Sequence, residues 1–400
     1  MTEILKQRIE AINCGEVPVG YKKTEVGIVP NEWEEAILSE IFTFKNGLNK
    51  EKEAFGKGTP IVNYVDVWKK RGIRSHDLQG KVELSKKERE NYSANKGDVF
   101  FTRTSETKYE IGLTSVMLDD TKDTVFSGFV LRARPYTDKI ISEYNQYCYS
   151  SDLMRHEVIR KSSITTRALT NGNFLGEVQI NLPTKNEQSK IADILMKWDE
   201  AVSLQEKLIE KLETQKKALM QRLLMPKDGW KEVDLQDIGD LYQPVTISGS
   251  QLFDEGYCVY GANGLIGYYD KYNHEESQVA ITCRGSTCGT VIYTHPYSWI
   301  TGNAMVLNVN KNFNKVFIYY FCCNTSFEKV ISGSGQPQIT REAIKNMRVI
   351  IPNNKKVQTR IANILSKADE YIELQNQKLT KMKEQQKSMM QLLLTGIVRA

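Results

Sequence analysis

Long hydrophobic runs are missing from this chain: its apolar stretches, such as RVIIP at Arg348–Pro352, are strand-sized, which excludes a membrane-spanning helix. The first residues, MTEILKQR, are charged from the start and hold no apolar region or cleavage site. The expectation is a cytoplasmic protein with no membrane partner. Cysteine is sparse and odd in number, seven in all, with no Cys-x-x-Cys pair and none beside a histidine at zinc-ligand spacing. Free thiols and no metal site are therefore expected. The four histidines, His76, His156, His274 and His295, are isolated from one another. No phosphate loop of the Gly-x-x-x-x-Gly-Lys-Ser/Thr type occurs, and FGKGT at Phe55 lacks its spacing. There is no Gly-x-Gly-x-x-Gly after a strand and no Asn/Asp-Pro-Pro-aromatic motif, so neither a nucleotide nor S-adenosylmethionine has an evident cradle. Excess charge is also lacking over most of the chain. The net +5 equals the surplus of the last 48 residues, nine Lys/Arg against four Asp/Glu from Asn353 onward. A general basic field is excluded, and any contact with DNA must come from placed side chains.

What is present is a duplication. QSKIADILMKWDEAV begins at Gln188 and QTRIANILSKADEYI at Gln358, 170 residues later. From Ile191 and from Ile361 the two copies agree at about half of their positions, far above chance. Each follows a strand ending in proline, at Pro183 and Pro352, and each runs without Gly or Pro for about 35 residues, on the order of 50 Å of helix. Apolar residues recur in steps of four and three, the spacing of a coiled-coil seam. In the first copy the seam is Ile191, Leu195, Trp198, Val202, Gln205, Ile209, Leu212, Lys216, Leu219 and Leu223. In the second it is Ile361, Leu365, Ala368, Ile372, Gln375, Leu379, Met382, Gln386, Met389 and Leu393. Polar residues interrupt both seams at the same two places, Gln205 with Gln375 and Lys216 with Gln386. Shared interruptions predict that the helices pair with each other. A compact domain usually has its ends close together, so the second helix should start where the first stops and run back antiparallel to it.

The globular segments Gly20–Pro183 and Met225–Pro352 share landmarks: Pro30 then Trp33, Pro226 then Trp230, and a strand running into VFFTRTS at Val99 or VAITCRGST at Val279. β-branched and aromatic runs broken by Gly and Asn predict short twisted strands, with helices around 141–161 and 313–331. The fold class expected is α+β: two related domains separated by two long helices forming an antiparallel coiled coil. The divisions are 1–184, 185–224, 225–352 and 353–400. Within the domains, YGANGLIGYY at Tyr260 and GSGQPQ at Gly333 offer amides suited to base edges, and Arg suits guanine. Candidate DNA contacts are Asn263, Tyr268, Arg284, Ser286, Gln336 and Gln338 in the second domain. The first offers Arg103 and Arg167, together with the cationic run KKRGIR holding Lys69, Lys70, Arg71 and Arg74.

Three segments together resemble one family: KTEVGIVPNEW from Lys23, the two Gln-x-x-Ile-Ala helix starts at Gln188 and Gln358, and LLTGIVR from Leu393. In this order and duplicated, they are similar to the specificity subunits of type I DNA restriction-modification complexes. The resemblance implies two target recognition domains, each reading one half of a bipartite double-stranded DNA site, with the helices as spacer. It also implies docking of two modification subunits, which bring S-adenosylmethionine, and of restriction subunits that use ATP and Mg. This chain itself would hold no cofactor and be non-catalytic. Recognition residues vary most within that family, so none is carried over by motif. The stretch Thr2–Ile12 lies outside the matched motifs and is expected beside the returning helix. The competing readings are a coiled-coil protein–protein adaptor that does not read DNA, and a nuclease or methyltransferase with a degenerate motif.

Overall fold

The computed structural model describes residues 3–121, 123–333 and 335–400. They fall into two compact units, Met1–Leu204 with Leu379–Ala400, and Gln205–Lys378. The division falls inside both long helices, so each unit holds one globular domain and its own part of the helix pair.

In the first unit, Val99–Thr102 is the middle of a five-stranded sheet. The strand order is Phe42–Asn46, Val130–Pro135, Val99–Thr102, Thr114–Met117, Gly72–Ile73, antiparallel except for the last pair. All four residues of the middle strand are buried, because both faces of the sheet are covered. Alternate side chains go to opposite faces. Phe100 packs with Val67, Met117 and Phe126, while Phe101 packs with Tyr149, Leu131 and the helix residues Ile191, Leu195 and Leu393. The second unit repeats the plan with four antiparallel strands, Gly239–Tyr242, Ala304–Val309, Val279–Thr282 and Val291–Tyr293. Ile281 and Leu307 face Phe317, Phe321 and the helix residues Leu224, Ile361 and Leu365. Ala280 and Val306 face Tyr260 and Ile300 of a smaller sheet.

The long helices span Lys185–Leu224 and Lys355–Leu394, 40 residues each. They pair antiparallel. In the second unit Gln205 meets Gln375 and Lys216 meets Asp369, and in the first Asp199 meets Gln386. The seam positions Ile191, Leu195, Val202, Gln205, Ile209, Ile361, Leu365, Gln375 and Leu393 are buried. Trp198, Leu212, Leu219, Leu223, Ala368, Ile372, Leu379, Met382 and Met389 are half-buried. Two helices alone cannot enclose their seam, so most of the complete burial falls where a domain adds a third layer. The polar interruptions are satisfied: Gln205 Nε2 donates to Gln375 Oε1 at 2.9 Å, and Lys216 and Gln386 each reach a carboxylate on the opposite helix.

The glutamines of the Gln-x-x-Ile-Ala starts are keystones. Gln188 is 1% exposed; its Oε1 accepts from Ile141 N at 3.0 Å and its Nε2 donates to Pro183 O at 2.9 Å. Gln358 does the same with Asn314 N at 2.8 Å and Pro352 O at 2.9 Å. Each ties a strand-to-helix turn to the chain entering a domain helix.

The two sequence motifs at opposite ends of the first unit meet. Gly396 has φ +71°, and a Cβ there would lie 2.4 Å from Pro30, so only glycine lets the tail press on this proline and on Trp33. Tyr21 Oη donates to Gly396 O at 2.8 Å, and Arg399 binds Glu187 and Glu32. Two expectations are corrected. The helix predicted over 141–161 is broken into Ser142–Asn145, a 3₁₀ turn Cys148–Ser150 and Asp152–Lys161, because Ser151 caps a new start by accepting from Met154 N. That predicted over 313–331 is confined to Lys315–Cys323. Beyond it Asn324, Thr325 and Ser326 favour local bonds over helix, Thr325 Oγ1 turning back to Phe321 O at 2.8 Å. The N-terminal helix Glu3–Asn13 buries no side chain. Arg8 ties it to Ile397 O, in the tail beyond the second long helix. Thr2 lies outside the described residues.

Candidate nucleic-acid interface

In the second unit the middle strand ends at Thr282, whose buried hydroxyl shapes the loop beyond it. It donates to Thr287 O and accepts from Thr290 N, closing residues 283–290 into a tight loop. Two neighbouring loops are fastened to this one. Gly285 N donates to Pro337 O at 3.0 Å, Arg284 bridges to Gln338, and Ile339 N donates to Cys283 O at 3.0 Å. On the other side Thr287 Oγ1 donates to Ala262 O at 2.7 Å, with Asn263 Oδ1 at 3.3 Å. Asn263, Arg284, Ser286, Gln336 and Gln338 are thereby gathered in one exposed cluster. Among the described residues Arg284 has no ion-pair partner. Ser334, in the third of these loops, lies outside the described residues. Tyr268 does not join them: it sits four residues from Gly264, roughly 13 Å along the strand, and its backbone pairs with Phe253.

The first unit builds its counterpart in the same way. Thr102 Oγ1 donates to Glu110 O and accepts from Leu113 N, both at 2.9 Å. Thr170 N donates to Arg103 O at 3.0 Å, as Ile339 does to Cys283, and Thr104–Ser105 pairs with Ala168–Leu169. Arg103, Arg167 and the exposed Phe129 come together here, Phe129 O accepting from Arg103 N at 3.3 Å. Arg103 has no ion-pair partner among the described residues, and Arg167 faces only the exposed Glu106 at 3.7 Å.

The cationic run is elsewhere, at the sheet edge, and half of it is engaged internally. Arg71 lies 3.4 Å from Asp199 of the first long helix and over the ring of Tyr147, and Lys70 pairs with Asp77. Lys69 and Arg74 stay exposed. Lys69, Lys70 and Arg71 line an open groove of about 740 Å³ with Trp68, Gln146 and Arg155, and Arg74 lies outside it. Arg155 is structural there. It donates to the carbonyls of Tyr109, Ile111 and Gly112, and burial lowers its pKa to about 10.

Residues that sequence reasoning passed over also shape the loops. Gln243 Nε2 donates to Gly302 O at 3.2 Å and Cys283 Sγ at 3.1 Å, and Thr246 Oγ1 accepts from Gly302 N. Burial pushes the Cys283 thiol up, which keeps it neutral beside the polar cluster. The signal for Gln243 was weak: a lone Gln-Pro step after a strand. The arrangement as a whole offers amides, hydroxyls and unpaired guanidinium groups at the surface, a donor and acceptor set suited to base edges and phosphates. Among the described residues no group of His, Cys, Asp or Glu could hold a metal ion, and no helix is long and apolar enough to cross a membrane.

Known proteins share this architecture. The type I restriction modification DNA specificity domain matches twice, over residues 30–214 and 227–384. A protein named for the MjaX specificity subunit of a type I restriction enzyme, from Methanocaldococcus jannaschii, is 22% identical over 95% of this chain and 96% of its own. The MjaVIII specificity subunit from the same organism is 23% identical over 56% of this chain and 62% of its own. The S subunit of a type I restriction-modification system from M. genitalium shares the fold, with a TM-score of 0.56 at 16% identity over 90% of this chain and 96% of that one. A chain from a structural study of type I complex assembly and conformational transition gives 0.59, also at 16% identity, over 92% and 99%. Matched twice by one family model across most of its length, the chain belongs to the type I restriction-modification DNA specificity family.

Proposed function

We propose that this chain is the non-catalytic sequence reader of a type I restriction-modification complex. The loops around Arg103 and Arg167 read one half of a split double-stranded DNA target. Those holding Asn263, Arg284, Ser286, Gln336 and Gln338 read the other. The long helices set the spacer and dock two modification subunits, which bring S-adenosylmethionine, and restriction subunits supply ATP- and Mg-dependent cleavage. One observation carries this reading: two related domains in one chain end their buried middle strands on the same threonine device, Thr102 and Thr282, and present exposed polar loops beyond it.

The test is methylated-site mapping in a host carrying this chain with its modification subunit, before and after exchange of residues 225–352 for those of a relative. A split adenine-containing motif that changes in one half only is the expected result. A motif indifferent to the exchange, or none that depends on this chain, overturns the reading in favour of a protein adaptor.

A further inference from the structure

In each unit a carboxylate at the same repeat position joins the globular domain to both long helices. In the first, Asp199 Oδ2 accepts from Tyr147 Oη of the globular domain at 2.7 Å, and Oδ1 accepts from Gln386 Nε2 of the opposite long helix at 2.7 Å. Arg71, from the sheet edge, stands 3.4 Å from the same Oδ1 and over the Tyr147 ring. In the second, Asp369 Oδ2 accepts from Tyr320 Oη of its domain at 2.6 Å, and Oδ1 accepts from Lys216 Nζ of the opposite helix. Lys216 also stands over the Tyr320 ring. Asp199 and Asp369 are repeat equivalents, 170 residues apart, and so are Lys216 and Gln386. The same node has therefore been kept twice, with a neutral donor plus an arginine in one copy and a single ammonium in the other.

Apolar packing between domain and helices is non-directional and tolerates small rotations. A charge-assisted hydrogen bond does not, because it fixes both distance and angle. We propose that Asp199 and Asp369 are positioning residues that lock the angle of each domain on its helices, and so restrict recognition to one spacer length. One base pair more or less turns a half-site by about 34–36° and shifts it by about 3.4 Å, so a lock of this kind must hold each domain to within a fraction of that. The inference rests on the split-site reading above.

The experiment uses the full chain assembled with its modification subunits. Single-turnover methylation is measured on duplexes carrying both half-sites with the cognate spacer and with spacers one base pair shorter and longer, for wild type, Asp199→Ala, Asp369→Ala, Tyr147→Phe and Tyr320→Phe. Wild type should methylate the off-length duplexes at about one-hundredth of the cognate rate or less, the size of a misplaced contact. Each aspartate variant should raise that fraction to about one-tenth or more, and the tyrosine variants should move it in the same direction by less. The tyrosine variants remove only one hydroxyl and keep the ring, so they report on the lock even where an aspartate variant fails to fold. A folded set whose off-length fraction stays at the wild-type value overturns the proposal. Equal loss at all three spacers, the mark of a merely structural role, also overturns it. Should wild type methylate no split site, the sequence-reader function itself fails, and the spacer lock falls with it.

Discussion

Arg399→Ala exposes the cost of an abandoned charge. Glu187 is 4% exposed, and its oxygens accept from Arg399 Nε at 2.6 Å, Arg399 Nη2 at 3.0 Å and Trp33 Nε1 at 3.0 Å. Removing the guanidinium leaves a buried carboxylate with one neutral donor. Breaking a fully buried pair costs about 3–5 kcal/mol. The Arg399 side chain is 39% exposed, and solvent screening reduces the expected loss to about 2–3 kcal/mol. The second repeat supplies an internal control, since Val357 stands where Glu187 does and builds the same strand-to-helix turn without a charge. The cost thus lies in the unpaired charge rather than in the turn. Arg399→Ala combined with Glu187→Gln, which keeps an acceptor for Trp33, should recover about half of the loss. Urea-dependent hydrogen exchange on the peptides covering the paired strands Glu34–Ile37 and Gln179–Leu182 reads the stability of this unit alone. A loss under about 1 kcal/mol, or a double variant no more stable than the single, would refute the argument.

Gln358→Ala removes a side chain 1% exposed, and with it the acceptor of Asn314 N and the donor to Pro352 O. A loss of about 2–4 kcal/mol, read by hydrogen exchange confined to the second unit, is expected. Arg103→Ala should weaken DNA binding and reduce the slope of log affinity against log salt by about one, measured by fluorescence anisotropy on the assembled complex. An unchanged slope removes Arg103 from the interface. His274 is held below its ordinary pKa by burial first and Lys315 second. Its ring bonds Tyr242 Oη at 2.8 Å and Asn273 Oδ1 at 2.6 Å. The folded unit therefore binds fewer protons than the unfolded chain, and its stability is full above pH about 6.5 and falls as pH drops below that value. Equilibrium unfolding of the full chain between pH 7.5 and 5, followed by exchange in the second unit, should show this fall flattened in His274→Gln; an identical pH profile would rule His274 out as its source.

The long helices were legible because their spacing is strict and their copies agree, down to the paired Gln205 and Gln375. The keystone role of Gln188 and Gln358 was not, although both glutamines stood in the motif. Their partners are backbone atoms at Ile141 and Asn314, which carry no signature in sequence. Asp199 and Asp369 were hidden for another reason: an acidic residue on a long helix ordinarily faces water or a lysine one turn away. The coincidence of both aspartates at the repeat offset was the available signal. The cationic run at Lys69–Arg74 shows the opposite case. Four cations in six residues suggest phosphate, but Asp77 and Asp199, distant or unremarkable in sequence, engage two of them.

The keystone bonds bear on how such a chain can change over generations. Gln188 and Gln358 hold the domain segments through main-chain N–H and C=O groups, which every sequence supplies at those places, proline's missing N–H apart. At these two joints a domain can therefore drift, or be replaced by recombination, without a matching substitution in the glutamine that holds it, a freedom that the bonds of Asp199 to Tyr147 and of Asp369 to Tyr320 do not share. Loops that make no side-chain bond to the helices are released from co-evolution with them. Diversity of target then accumulates at the pace of single exchanges rather than of coordinated pairs.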